Sequence, residues 1–230
     1  MKEEEFLQNQ SDFWNHISDG WSLQNKNPVV GWYHEHQAFK EYETELFRGL
    51  DTKGKVAFEY GCGPGRNMIR FKDWFDRVDG CDIAPDCIDK AKINLEDAGI
   101  TIPNLWANDG KSIPMIADET YDVIFSVICM QHITSRNVRI NLYKEFFRAL
   151  KPGGSFCFQM GFGSGHPRSV DYFQSDYGSF SEVHNKDTRV EDVNALQTDV
   201  CSVGFKNFSH TLTGTCHDEH PQWIWVQVQK

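Results

Sequence analysis

The residues most able to do chemistry sit at the ends of apolar runs. Val56-Ala57-Phe58-Glu59-Tyr60 carries one acid and opens directly onto Gly61-Cys62-Gly63-Pro64-Gly65. Glycines at alternate positions strip the backbone of side chains, so it can turn sharply and lie against a ligand. A second run, Arg77 to Ile83, contains Asp82 near its end. If the two runs are neighbouring strands of a doubly wound sheet, that carboxylate lies beside the glycine loop and can accept hydrogen bonds from both hydroxyls of a ribose. His132 follows a third run, Tyr121 to Met130, and an imidazole can take a proton from a nucleophile near neutral pH. Each feature also has a plainer reading: a glycine turn, a helix N-cap ahead of Pro85, and a loop histidine bonded to backbone.

The elements that must position these residues alternate between strand and helix. Asn67-Met68-Ile69 opens a helix after the glycine loop, with Met68, Ile69, Trp74 and Phe75 inward. Pro85 starts a second, continued by Ile88, Ala91 and Leu95 and stopped by Gly99. Asn104 to Asp109 reads as a third strand, and the nearly unbroken apolar run Tyr121 to Met130 as a central strand buried on both faces. A helix follows from Arg136 to Leu150, then a turn at Lys151-Pro152-Gly153-Gly154 and a fifth strand, Ser155 to Met160. Val193, Leu196, Val200 and Val203 mark a last helix, and two alternating strands, Phe205 to Leu212 and Trp223 to Val228, form a closing hairpin. Ahead of this core, Phe6 to Tyr33 carries many aromatics without a sustained period, either a cap over the ligand cleft or a flap on the back of the domain. His34 to Leu50 is helical in pattern. Residues 1–50 are therefore expected to be an N-terminal cap and helix, and 51–230 the main domain, with an irregular lid insertion near 161–187.

A glycine loop with an acid on the next strand suits a dinucleotide or S-adenosylmethionine. The dinucleotide fingerprint needs a glycine or alanine where this chain has Arg66, so a ligand without a pyrophosphate is preferred. Glu59 to Gly65, with Asp82, resembles the first two motifs of the class I S-adenosylmethionine-dependent methyltransferases. That resemblance implies an α/β fold: a Rossmann-like doubly wound seven-stranded sheet of order 3-2-1-4-5-7-6, the last strand antiparallel. It also implies S-adenosylmethionine as cofactor, with S-adenosylhomocysteine as its product. Roles follow for matching positions: Gly61, Gly63 and Gly65 against the methionine and ribose portions, and Glu59 anchoring the loop. Asp82 would bind the ribose, Ile83 pack on the adenine, and Asp109 and Gly110 meet the adenine edge. Ser126 and Val127 would offer backbone carbonyls to the ammonium. His132 is the catalytic candidate; His34 and His36 are weaker ones.

The implied activity is methyl transfer to an oxygen, nitrogen or carbon nucleophile of a small molecule. Methylation of a protein, or a regulatory or scaffold module that binds the cofactor without turnover, are the alternatives. A net charge of −10 argues against a broad nucleic-acid face. No apolar run is long enough to span a bilayer, and Met1-Lys2-Glu3-Glu4-Glu5 lacks the character of a signal peptide, so a cytoplasmic protein is expected. The seven cysteines form no CxxC pair and are read as reduced. His217-Asp218-Glu219-His220 has ligand-type residues, but consecutive placement in a loop disfavours a preformed metal site, and a polar substrate contact is the other reading.

Overall fold

Runs of apolar residues without polar interruption are stable only where both faces of a strand are covered, and they form the middle of the sheet. The computed structural model describes residues 2–18, 41–101, 103–164, 169–173, 187–215 and 220–230. The strands are β1 (Val56–Tyr60), β2 (Arg77–Asp82), β3 (Leu105–Ala107), β4 (Tyr121–Ser126), β5 (Leu150–Phe162), β8 (Lys206–Gly214) and β9 (Gln222–Gln229), in the order β3-β2-β1-β4-β5-β9-β8. Counted within this sheet, that is the expected 3-2-1-4-5-7-6. β1 to β5 pair in parallel, and β9 runs antiparallel to both β5 and β8.

Side-chain alternation divides the core in two. Phe58, Ile124, Phe156, Phe158 and Val226 pack on one face, against Tyr143 and Phe146 of α5 (Arg136–Ala149). Ala57, Val123, Phe125, Cys157 and Trp225 point to the other, where Phe47, Phe71 and Phe75 meet them. β1 has β2 on one side and β4 on the other, so the connections leave it in opposite directions. A crevice opens at the carboxyl ends of these strands, where open α/β sheets bind ligands.

Four local readings need correction. The aromatic stretch near the N-terminus is regular in part: α1 (Glu3–Ile17) begins with Glu3, Glu4 and Glu5, which favour the positive end of the helix dipole. Its Phe6, Leu7, Gln10 and Trp14 share a face; the stripe is narrow and interrupted by a glutamine, which hid its period. The helix expected up to Leu50 is, within the described residues, only α2 (Glu41–Thr44), followed by turns to Gly49 at φ +71°. The turn expected at Lys151 to Gly154 lies inside β5 and absorbs a register shift against β4. Within the expected lid, β6 (Ser169–Val170) pairs in parallel with β7 (Asp187–Thr188); residues 165–168 and 174–186 of that insertion lie outside the described residues, as do most of the cap, His34, His36 and His217 to Glu219. Cys62, Cys81, Cys87, Cys129, Cys157 and Cys201 are free thiols. No helix among the described residues is long and apolar enough to cross a membrane.

Candidate active site

The floor of the crevice is the glycine loop between β1 and α3 (Arg66–Arg70). Gly61 N and Cys62 N both donate to Cys81 O at 2.9 Å, pinning the loop to β2. Gly61 stands at φ +72°, and an added Cβ would lie 2.7 Å from Cys129 Cβ. Gly63, at φ +51°, has open space where its side chain would be. Gly65, at φ +89°, caps α3 without lining the crevice.

Asp82 joins the two halves of this floor. Its Oδ2 accepts from Gly63 N at 2.8 Å and its Oδ1 from Ala84 N at 2.9 Å. A carboxylate can accept about four hydrogen bonds, so acceptor capacity remains on the crevice side. Burial pushes its pKa up, and the backbone N–H groups draw it back part of the way.

Glu59 works from behind the loop. It is fully buried; Oε1 accepts from Asn67 Nδ2 at 2.7 Å, and Oε2 has no partner. Desolvation lifts its pKa to about 8, against the opposing effects of Asn67 and Arg66. Asn67 lines the crevice and Glu59 does not.

The side wall expected to meet an adenine is Ile83, which rests on Phe6 and Leu7 of α1. Gly110, at φ +77°, leaves the space that Ile83 occupies. Asp109 is exposed and used within its own turn: Oδ1 accepts from Lys111 N and Ser112 N, and Oδ2 from Ser112 Oγ. It does not line the crevice; Asn108 props Gly110 instead, accepting from its N–H at 2.8 Å. Ser126 lies beneath the floor with Oγ donating to Tyr60 O at 2.9 Å, whereas Val127 lines the crevice. α1 closes this side: Ser11 Oγ donates to Ile83 O at 2.9 Å, and the amide of Asp86 in α4 (Pro85–Asp97) donates to Asn15 Oδ1 at 3.1 Å.

His132 ends a 3-10 turn, Met130–His132, and lines the crevice with its ring centroid 4.9 Å from that of Trp14. Its Nδ1 lies 2.6 Å from Asp187 Oδ1. Asp187 Oδ2 in turn lies 3.0 Å from Nε2 of buried His220 and 3.3 Å from Gln131 Nε2. Burial alone would raise the Asp187 carboxyl, but the two histidines outweigh it and hold it well below the usual carboxylate range. Arg139, also buried, donates from Nη1 to Ile133 O at 2.7 Å and Thr134 O at 2.9 Å, and from Nη2 to Tyr172 O.

The sequence reading did not single out Asp187, whose partner lies 55 residues away, nor Trp14 as a wall. It weighed His220 only as a metal ligand or a substrate contact. Among the described residues no group of three or more His, Cys, Asp or Glu is arranged to hold a metal ion.

The crevice, a cavity of about 280 Å³, therefore has an open glycine loop, an acid on the second strand and a histidine at the end of the fourth. A family model described as a methyltransferase domain matches residues 57–154, which carry all three. Residues 57–154 are therefore similar to a methyltransferase domain.

The domain's cofactor is S-adenosylmethionine, and the space at Gly63, the acceptor capacity of Asp82 and the seat formed by Ile83 fit it. Among curated relatives, the ubiquinone biosynthesis O-methyltransferase of Cereibacter sphaeroides is 27% identical over 144 residues, covering 63% of this chain and 56% of that protein. The biotin biosynthesis bifunctional protein of Teredinibacter turnerae is 32% identical over 112 residues, 45% of this chain and 19% of the other. The chain thus spans just over half the length of the first relative and a smaller part of the second. Solved structures share the fold. A Haemonchus contortus N-methyltransferase, in complex with phosphomonomethylethanolamine and S-adenosylhomocysteine, has a TM-score of 0.67 at 15% identity, over 96% of this chain and 60% of that one. The [4+2]-cyclase SpnF has a TM-score of 0.62 at 14% identity, over 82% and 78%. A cyclase on the same scaffold shows that the fold alone does not name the reaction.

Proposed function

We propose that this chain is an S-adenosylmethionine-dependent methyltransferase acting on an oxygen, nitrogen or carbon nucleophile of a small molecule, with His132 as the proton acceptor. The supporting observation is the 2.6 Å contact between His132 Nδ1 and Asp187 Oδ1 on the wall of the cofactor crevice. Bound S-adenosylmethionine supplies an electrophilic methyl group on a positively charged sulfur. Asp82 and the backbone of Gly61 and Gly63 would hold its ribose and methionine portions, while Ile83 would support the adenine.

Asp187 accepts a hydrogen bond from Nδ1–H, which places the imidazole lone pair on Nε2. A base oriented by a buried carboxylate is the arrangement used to activate nucleophiles. Asp187 also faces the positive charge that His132 acquires when it takes a proton, so the charged form is balanced in place. The Trp14 ring lies against the imidazole at a tilt of 56°, so part of the base faces an apolar wall. The pair favours turnover over a module that only binds cofactor.

The test is methyl transfer from labelled cofactor to a panel of phenolic, carboxylic, phosphorylated and amine acceptors. His132→Ala is expected to lower kcat by about a hundredfold or more with cofactor affinity unchanged. Asp187→Asn removes the counter-charge of the imidazolium, so the acid limb of kcat should move to lower pH. Full turnover by the His132→Ala enzyme would eliminate the base assignment.

A further inference from the structure

Arg189 is only 3% exposed, yet its Nε and Nη1 have no hydrogen-bond partner. The nearest carboxylate is that of Glu191, with Oε1 at 3.6 Å from Nε, too long for a hydrogen bond; its side chain is 61% exposed. Leaving N–H groups of a cation buried and unmet is costly, and each is a charge-assisted donor suited to an anionic oxygen.

The backbone places Arg189 two residues beyond Asp187, the carboxylate that holds the proposed base, and behind the lining of the crevice. Val190 N donates to Gly161 O and Gly163 N donates to Val190 O, each at 3.0 Å, which pairs Val190 with Phe162 in parallel register. Val190 and Phe162 both belong to the α5 side of the core. In an extended chain alternate residues face opposite ways, so Gly161, Arg189 and Asp187 share the other face. The ring of His220 occupies the space over Gly161 on that face and bonds Asp187. Arg189 therefore sits one strand repeat, about 7 Å, from the carboxylate that holds His132. The negative charge of Asp187 is already met by His132, His220 and Gln131, and Arg189 is left as the cation of this face.

We infer that Arg189 is the seat for an anionic oxygen group, a phosphate or a carboxylate, on the acceptor substrate, which places its nucleophile at His132. This names the substrate class within the methyltransferase reading and rests on it. Selectivity follows from the same feature: an uncharged acceptor leaves the guanidinium unmet, so it should be rejected by a wide margin.

The test uses the full chain saturated with S-adenosylhomocysteine and titrated separately with inorganic phosphate and with acetate. Chloride is exchanged to hold ionic strength constant, and calorimetry and thermal unfolding are the readouts. Saturable binding of at least one anion, with a rise in Tm, is expected for the native protein. Tighter binding of phosphate assigns a phosphoryl group to the substrate, and tighter binding of acetate a carboxylate. Arg189→Met should weaken that binding about tenfold or more while S-adenosylhomocysteine affinity stays within about twofold. Arg189→Lys keeps the charge but not the positions of these donors, and serves where the methionine variant does not fold; it too should weaken binding severalfold. Absence of saturable binding of either anion by the native protein, or native affinity in a folded variant, overturns the assignment. Failure to take up S-adenosylhomocysteine would be a separate result, refuting the cofactor reading rather than the anion seat.

Discussion

Glu59→Gln gives the sharpest test of how the floor of the site is built. The carboxyl is fully buried, and its pKa is lifted from 4.5 to about 8, chiefly by desolvation. In the unfolded chain it ionises near 4.5, so between those two values the folded state holds a proton that the unfolded state has released. Stability then falls as pH rises. At about 1.4 kcal/mol for each pH unit the full effect is roughly 5 kcal/mol, of which about 4 lies between pH 5 and pH 8.5; relaxation and water entry reduce this to about 2–4 kcal/mol. Glutamine keeps the acceptor for Asn67 Nδ2 and cannot ionise. Urea unfolding of the cofactor-free protein and of the variant at both pH values should show the native protein losing that amount relative to the variant on the alkaline side. Parallel pH profiles, agreeing within about 0.5 kcal/mol, would refute the view that Glu59 is held as a neutral acid.

Asp82→Ala removes the acceptor for Gly63 N and Ala84 N and the proposed ribose contact, so cofactor affinity should fall between about tenfold and a hundredfold. Unchanged affinity in calorimetry would contradict the ribose role. Gly61→Ala places a Cβ 2.7 Å from Cys129 Cβ in a left-handed backbone, and should cost about 2–4 kcal/mol in chemical denaturation. Adding Cys129→Gly should restore part of that loss, because it relieves the contact but not the backbone strain; a fully stable single variant would remove the close-packing argument for this glycine.

The sheet was legible because its strands carry their own instructions. Tyr121 to Ser126 is mostly apolar and buried, and Lys206 to Gly214 is mostly polar and exposed, so their places at the centre and in the edge hairpin follow from the residues themselves. The placement of the glycine loop and Asp82 was legible for the same reason, since each lies at the end of the strand that bears it. Asp109 carried two readings, an adenine-edge contact and a turn acid before Gly110, and here its carboxylate serves its own turn. Asp187 was hidden because nothing in its local sequence marks it. Its meaning comes from His132 and His220, which only the folded chain brings to one carboxylate. α1 was hidden because its crevice face includes Gln10, and a polar residue among wall positions breaks the periodic signal.

Arg139 gathers carbonyls from the histidine turn and from Tyr172 into one guanidinium, while β7 beyond is paired with β6 and tied to His132 and His220. The stretch of chain between Phe173 and Asp187 consequently has both its feet bolted down. Lengthening or rewriting such a stretch costs little closure entropy, about 0.6 kcal/mol for each doubling. A change of length between these two anchors would leave the contact between His132 and Asp187 in place.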